Sequence, residues 1–146
     1  MRSHKPEDRI LAARAAIEYF QIRGDGYELF YSPHLSDASG QVNPFGQVEV
    51  GPMASDSWSE LGVTLGHEIG IHWELQFKKF GPVSSNQEWF MREYQADLYE
   101  LENISRFGLT PRQISNTNYY VNKHFNSPRE GNKDLVRVGI YEEPGH

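Results

Sequence analysis

Thr64-Leu65-Gly66-His67-Glu68-Ile69-Gly70-Ile71-His72-Trp73-Glu74 sets two histidines and a glutamate in a half-apolar segment of helical character. Imidazole nitrogens and a carboxylate at short spacing are a zinc-ligand set, and the glutamate can act as general base beside the ion. The common arrangement is H-E-x-x-H, whose histidines share one helix face. Here Ile71 takes the second histidine's place and His72 follows it, so the pattern is H-E-x-x-x-H. On a regular α-helix a five-residue step turns the two side chains roughly 140° apart, too far to share an ion. One extra residue in the turn, a π-bulge, returns them to one face. Gly70 lies between them, where a backbone distortion meets least steric resistance. The spacing therefore predicts a bulge or widened turn near Gly70. A regular helix would instead pair Glu68 with His72, at i and i+4, and leave His67 in the core or beside the ligands.

A catalytic zinc takes three protein ligands and leaves a position for water. Downstream, Glu93-Tyr94-Gln95-Ala96-Asp97 sets Glu93 and Asp97 on one helical face. Glu93 is the candidate third ligand, completing a metal set of His67, His72 and Glu93. Asp97 can accept a hydrogen bond from a ligand histidine, the usual outer-shell arrangement. The loop between the two helices permits an antiparallel return. The bland reading is that both acids face solvent, as Glu88, Glu100 and Glu102 suggest for this stretch.

Around these segments the chain reads as an α+β plan: helix, two strands, then three helices. Pro6 to Gln21 is helical, with Glu7 and Asp8 in its first turn. Its apolar stripe is Ile10, Leu11, Ala13, Ala16, Ile17 and Phe20, and Gly24 and Gly26 end it. Tyr27 to Tyr31 and Phe45 to Val50 read as strands, separated by a loop from Ser32 to Pro44. Ser55 or Asp56 caps a helix from about Ser57 to Phe80, stopped by Gly81-Pro82. Glu88 to Phe107 is the next helix, closed by Gly108. Thr110-Pro111 opens the last, which runs to about Phe125. Asn126 to His146 is polar, with one short strand expected over Leu135 to Tyr141. A helix C-terminus accounts for Lys78-Lys79. Trp58, Trp73 and Trp89 read as packing residues and His34 as a solvated loop residue.

The 146 residues suggest one domain, 1–146. A composition of 38% hydrophobic and 13% aromatic residues is that of a folded globular chain. The net charge of −6 argues against nucleic-acid and anionic-membrane partners, since no basic stripe is present to neutralise phosphates. With no cysteine, thiolate zinc sites and cysteine nucleophiles are excluded. No apolar run approaches the length of a membrane span, and Met1 to Arg9 does not read as a signal peptide. The expectation is a cytosolic protein or a piece of a larger one that is delivered by another route.

His67-Glu68 and His72, followed by Glu93 and Asp97, resemble the glutamate-type zinc peptidases, in which a second helix supplies a Glu and, four residues on, an Asp. The longer histidine spacing is similar to that of the dipeptidyl peptidase III family, over the site alone. A second resemblance runs from Trp58 to about Tyr120. Trp58-Ser59, Leu65-Gly66-His67-Glu68, Glu93-Tyr94-Gln95-Ala96 and Arg106-Phe107-Gly108-Leu109-Thr110 resemble the zincin-type toxin domains of bacterial polymorphic toxins, including the Rhs-type. Many of those domains carry the shorter spacing, a departure that bears on His72.

The resemblance implies a zincin-like zinc peptidase. It would be a toxin or effector domain secreted or delivered as part of a larger protein, able to act in the cytoplasm, with an immunity protein as partner. Glu68 would take the proton of the attacking water and pass it to the leaving amine. His124, Tyr120 and Tyr119 are candidates to stabilise the oxyanion, although both tyrosines also read as core or rim aromatics. The strand Phe45 to Val50 would offer its edge to an extended peptide or protein substrate. Two other function classes fit the same residues. One is a non-catalytic, metal-stabilised binding module, with every coordination position filled by protein. The other is a metal-dependent amide hydrolase acting on peptidoglycan.

Overall fold

Pro6 stands at the first position of helix α1 (Pro6–Tyr19), where its missing N–H costs nothing, and Glu7 and Asp8 follow at the positive end. The computed structural model describes residues 5–126 and is α+β. The chain divides into two compact units, Met1–Pro82 and Val83–His146.

In the first unit α1 buries Arg9, Ala13 and Ala16, and Phe20 follows on the same side. Leu11, expected in the apolar stripe, is 65% exposed. At 100° per residue it falls on the face opposite Ala13. The helix ends at Phe20, before the glycines, and Gln21 takes a positive φ of 53°.

Three strands follow: β1 (Glu28–Tyr31), β2 (Gly40–Val42) and β3 (Gln47–Val50). Their order is β1-β3-β2, with β1 parallel and β2 antiparallel to β3. β2 lies inside the stretch Ser32 to Pro44 that reads as loop, because three residues carry too little alternation to announce a strand. The turn chemistry forms it. Asn43 Oδ1 accepts from the N–H groups of Phe45 and Gln47, both at 3.0 Å, and Gly46 supplies a φ of +81°. β3 is therefore the central strand. The expectation that Phe45 to Val50 offers an open edge is corrected: β1 and β2 pair with its two sides, and they are the edges. Val48 and Val50 turn into the core.

After a 3-10 turn (Pro52–Ser55), Ser57 caps helix α2 (Trp58–Leu65), its Oγ accepting from the Glu60 N–H at 2.9 Å. Ser55 and Asp56 do not cap it. Asp56 already has helical angles, whereas Ser57 has the extended backbone a cap requires. Gly62 lets α2 close on α1, since a Cβ there would stand 2.3 Å from Phe20 Cε2. α2 runs without interruption into a π-helical stretch, Gly66–Phe77, and then into one turn of α-helix, α3 (Lys78–Phe80). Gly81 ends the run at φ 72°.

In the second unit Ser85 caps α4 (Asn86–Glu102), accepting from the Glu88 N–H at 3.0 Å. The helix expected to continue to Phe107 breaks at Asn103 (φ −119°, ψ 28°), whose side chain donates to the Tyr99 carbonyl at 2.7 Å. The side chain thereby competes for a carbonyl at the end of α4. A short α5 (Ile104–Phe107) closes on Gly108 in the left-handed region. Thr110 and Gln113 then form a reciprocal capping box for α6 (Pro111–Asn126). α6 packs on α4, with Tyr94 and Phe125 ring centroids 5.1 Å apart and Thr117 donating to Glu100 at 3.0 Å. The short strand expected over Leu135 to Tyr141 lies outside the described residues. Among the described residues no helix is long and apolar enough to cross a membrane.

Candidate metal centre

The widened turn expected near Gly70 is not a single bulge. All twelve residues from Gly66 to Phe77 are π-helical. A π-helix closes i→i+5 hydrogen bonds, so residues five apart stand one above the other. His67 and His72 have that spacing. Their Nε2 atoms lie 3.0 Å apart, and the ring centroids 4.7 Å. The pairing of Glu68 with His72 presupposed a regular helix through this stretch, which the chain does not form.

Tertiary contacts hold the π register. Gly24, Gly40 and Gly46 each bring a segment of the first unit against it. An added Cβ would stand 2.6 Å from Ile69 Cγ2 at Gly24, 3.1 Å from Glu68 Cγ at Gly40 and 2.6 Å from Phe77 Cε1 at Gly46. Trp73 Nε1–H donates to the Asp25 carbonyl at 2.6 Å. Lys78 Nζ donates to Glu74 at 2.8 Å and to Asp25 at 2.5 Å. Those two bonds raise the Lys78 pKa, and the Lys78 hydrogen bond, with its charge, lowers that of Asp25.

The donor set fits a zinc ion. Two imidazole nitrogens, each about 2.0–2.1 Å from one zinc at the tetrahedral angle, stand about 3.3 Å apart. The observed 3.0 Å is close to that separation. His72 Nδ1 lies 2.6 Å from Gln76 Oε1, a carbonyl oxygen that only accepts. Nδ1 is thus the protonated nitrogen, and in the neutral ring the lone pair is on Nε2, facing His67. Glu68 is buried, with Oε2 3.9 Å from His67 Nε2. One ligand atom from each of His67, Glu68 and His72 lies within 4.8 Å of the others.

The second unit brings together another set. Glu93, Asp97 and His124 also offer ligand atoms within 4.8 Å of one another. Asp97 and His124 are both buried, and His124 Nδ1 donates to Asp97 Oδ2 at 2.7 Å. Asp97, expected to accept from a ligand histidine, accepts here from His124, which is not one of the expected ligands. His124 is walled by Tyr120, stacked with ring centroids 5.6 Å apart, and by Trp89 at 5.4 Å, edge to face. Tyr120 is 45% exposed and Tyr119 62%, so neither is a core residue. Trp58, expected to pack, is also 45% exposed, in edge and tilted contact with Tyr19 and Phe20. His34 is exposed, as a solvated loop residue should be.

Sequence reasoning missed Gln76 and Gly40. A buried glutamine four residues after a candidate ligand is a usable signal, but only once the helix register is known. Gly40 carries no signal without the strand it sits in. No family model, curated protein or solved structure matches the chain.

Proposed function

We propose that the chain is a zinc-dependent peptidase of zincin-like fold, a toxin or effector domain whose ion is held by His67, His72 and Glu93. The observation that carries this reading is the convergence of His67 and His72 on one face of a π-helix, with Glu68 buried beside them. Glu93 enters as third ligand on the sequence resemblance. A bound zinc would supply Lewis acidity, polarising a carbonyl and acidifying a water to a pKa of about 7.

The chain's own residues do the rest. Glu68 accepts a proton from the attacking water and returns it to the leaving amine. With its Nδ1–H given to Asp97, His124 has an Nε2–H to donate to the oxyanion as the doubly protonated imidazolium, the form that this role requires. Tyr120, stacked on His124, is the second donor at the rim. An extended peptide would add to β2, the edge strand whose Gly40 abuts Glu68.

The test is metal content with hydrolysis of a peptide panel. Wild type should hold one zinc and cleave. Glu68→Gln should keep the zinc and lose about 10²–10⁴ in rate, the scale of a general base. His124→Gln and Tyr120→Phe should also keep the zinc, with the larger loss at His124, about 10²–10³ in kcat. Loss of zinc in Glu68→Gln would make Glu68 a ligand. A zinc-bound wild type that cleaves no peptide would favour the binding module. Cleavage restricted to peptidoglycan amides would favour the cell-wall hydrolase.

A further inference from the structure

Gln76 is fully buried, and a buried carboxamide is costly unless its polar atoms are bonded. Its Oε1 lies 2.6 Å from His72 Nδ1. Because that oxygen only accepts, the bond has one polarity: the ring nitrogen carries the proton. His72 thereby keeps the tautomer whose lone pair is on Nε2, the atom 3.0 Å from His67 Nε2. Histidine ligands generally hold their second nitrogen in this way, and the partner fixes both ring orientation and tautomer.

Here the partner lies on the same π-helical stretch as both histidines. The register that brings His67 to His72 therefore also carries the group that orients His72. Gln76 is neutral, so it orients the ring without adding a buried negative charge beside the ion.

We propose that Gln76 is the positioning residue for His72: it locks the Nδ1–H tautomer and so sets the affinity of the site for zinc. This rests on the metal reading of His67 and His72. It has two measurements, one of which needs no metal. In the metal-free wild type, imidazole nitrogen–proton NMR correlations should show His72 as the Nδ1–H tautomer, and an Nε2–H tautomer would overturn the proposal. Chelator competition should then give zinc binding about 10–100-fold weaker in Gln76→Leu than in wild type. Gln76→Glu, which keeps an acceptor and raises ligand basicity, should bind no more weakly than wild type. Wild-type affinity in Gln76→Leu, or an equal loss in both variants, sinks the role of Gln76 while leaving the metal site intact. A wild type that binds no zinc sinks the metal reading itself. Should Gln76→Leu fail to fold by circular dichroism, the tautomer and the Gln76→Glu affinity decide the question.

Discussion

His67 Nε2 and His72 Nε2 stand 3.0 Å apart although the residues are five positions apart in sequence, a spacing that a regular α-helix would turn to opposite flanks. The π register of Gly66–Phe77 closes that distance. It also buries Ile71, the residue at the position where the shorter motif would carry its second histidine.

Exchanging the two residues, Ile71→His with His72→Ile, recreates the shorter motif in sequence and should destroy the site. The histidine would enter the core and the isoleucine would face His67. Zinc affinity should fall further than the roughly 10–100-fold that loss of a ligand's hydrogen-bond partner costs. Stability should fall by about 2–5 kcal/mol from the buried polar group and lost packing. Chelator competition and urea unfolding measure the two losses. A double variant that binds zinc as well as wild type would show that the stretch converts readily to an α-helix.

Gly40 brings β2 against Glu68, the proposed base. A Cβ there would meet Glu49 O at 2.9 Å, Thr64 Cγ2 at 3.0 Å and Glu68 Cγ at 3.1 Å. Two of the three neighbours sit on the helical run and one is backbone, so none withdraws freely. Gly40→Ala should cost about 1–3 kcal/mol, as overpacking does. Its peptidase rate should drop further than its zinc affinity, because Glu68 is displaced and the histidines are not. Equal losses in rate and metal binding would show that the strand supports the whole helix and not the base in particular.

Asp25 and Lys78 give an acid limb to stability. The hydrogen bond from Lys78, then its charge, hold the Asp25 carboxyl below its ordinary value. A lowered folded pKa means stability that is present above the unfolded value of 3.8 and lost as pH falls through the folded one. The urea midpoint gap between wild type and Asp25→Asn should thus be constant from neutral pH down to the carboxylate range and shrink below it. The Lys78 pKa is raised by Asp25 and Glu74, and that of Tyr27 by burial, so both contributions hold below the unfolded values and fade as pH rises through the folded ones. The Asp25–Lys78 pair is solvent-facing, so added salt should narrow the gap wherever Asp25 is ionised. A gap that widens on acidification would contradict the pairing.

Local chemistry made much of the helical framework legible. Pro6, Gly81, Gly108 and the Thr110-Pro111 pair act within one turn of themselves, and each stands at or beside the helix end it marks. β2 was not legible, because its existence depends on the Asn43 turn and on pairing with β3. The exposure of Leu11 follows from arithmetic on the helix, but its hydrophobicity drew it into the stripe.

The sequence by itself determined which groups could bind a metal and that a regular helix would not let both histidines do so, since residue type and spacing are local properties. Tertiary structure alone decided the remedy. A π-helix has poor intrinsic standing, so its twelve-residue length depends on contacts from Gly24, Gly40, Gly46 and Asp25, distant in sequence. The partners of the site residues, Gln76 for His72 and His124 for Asp97, likewise follow from where the chain packs and not from which residues it contains.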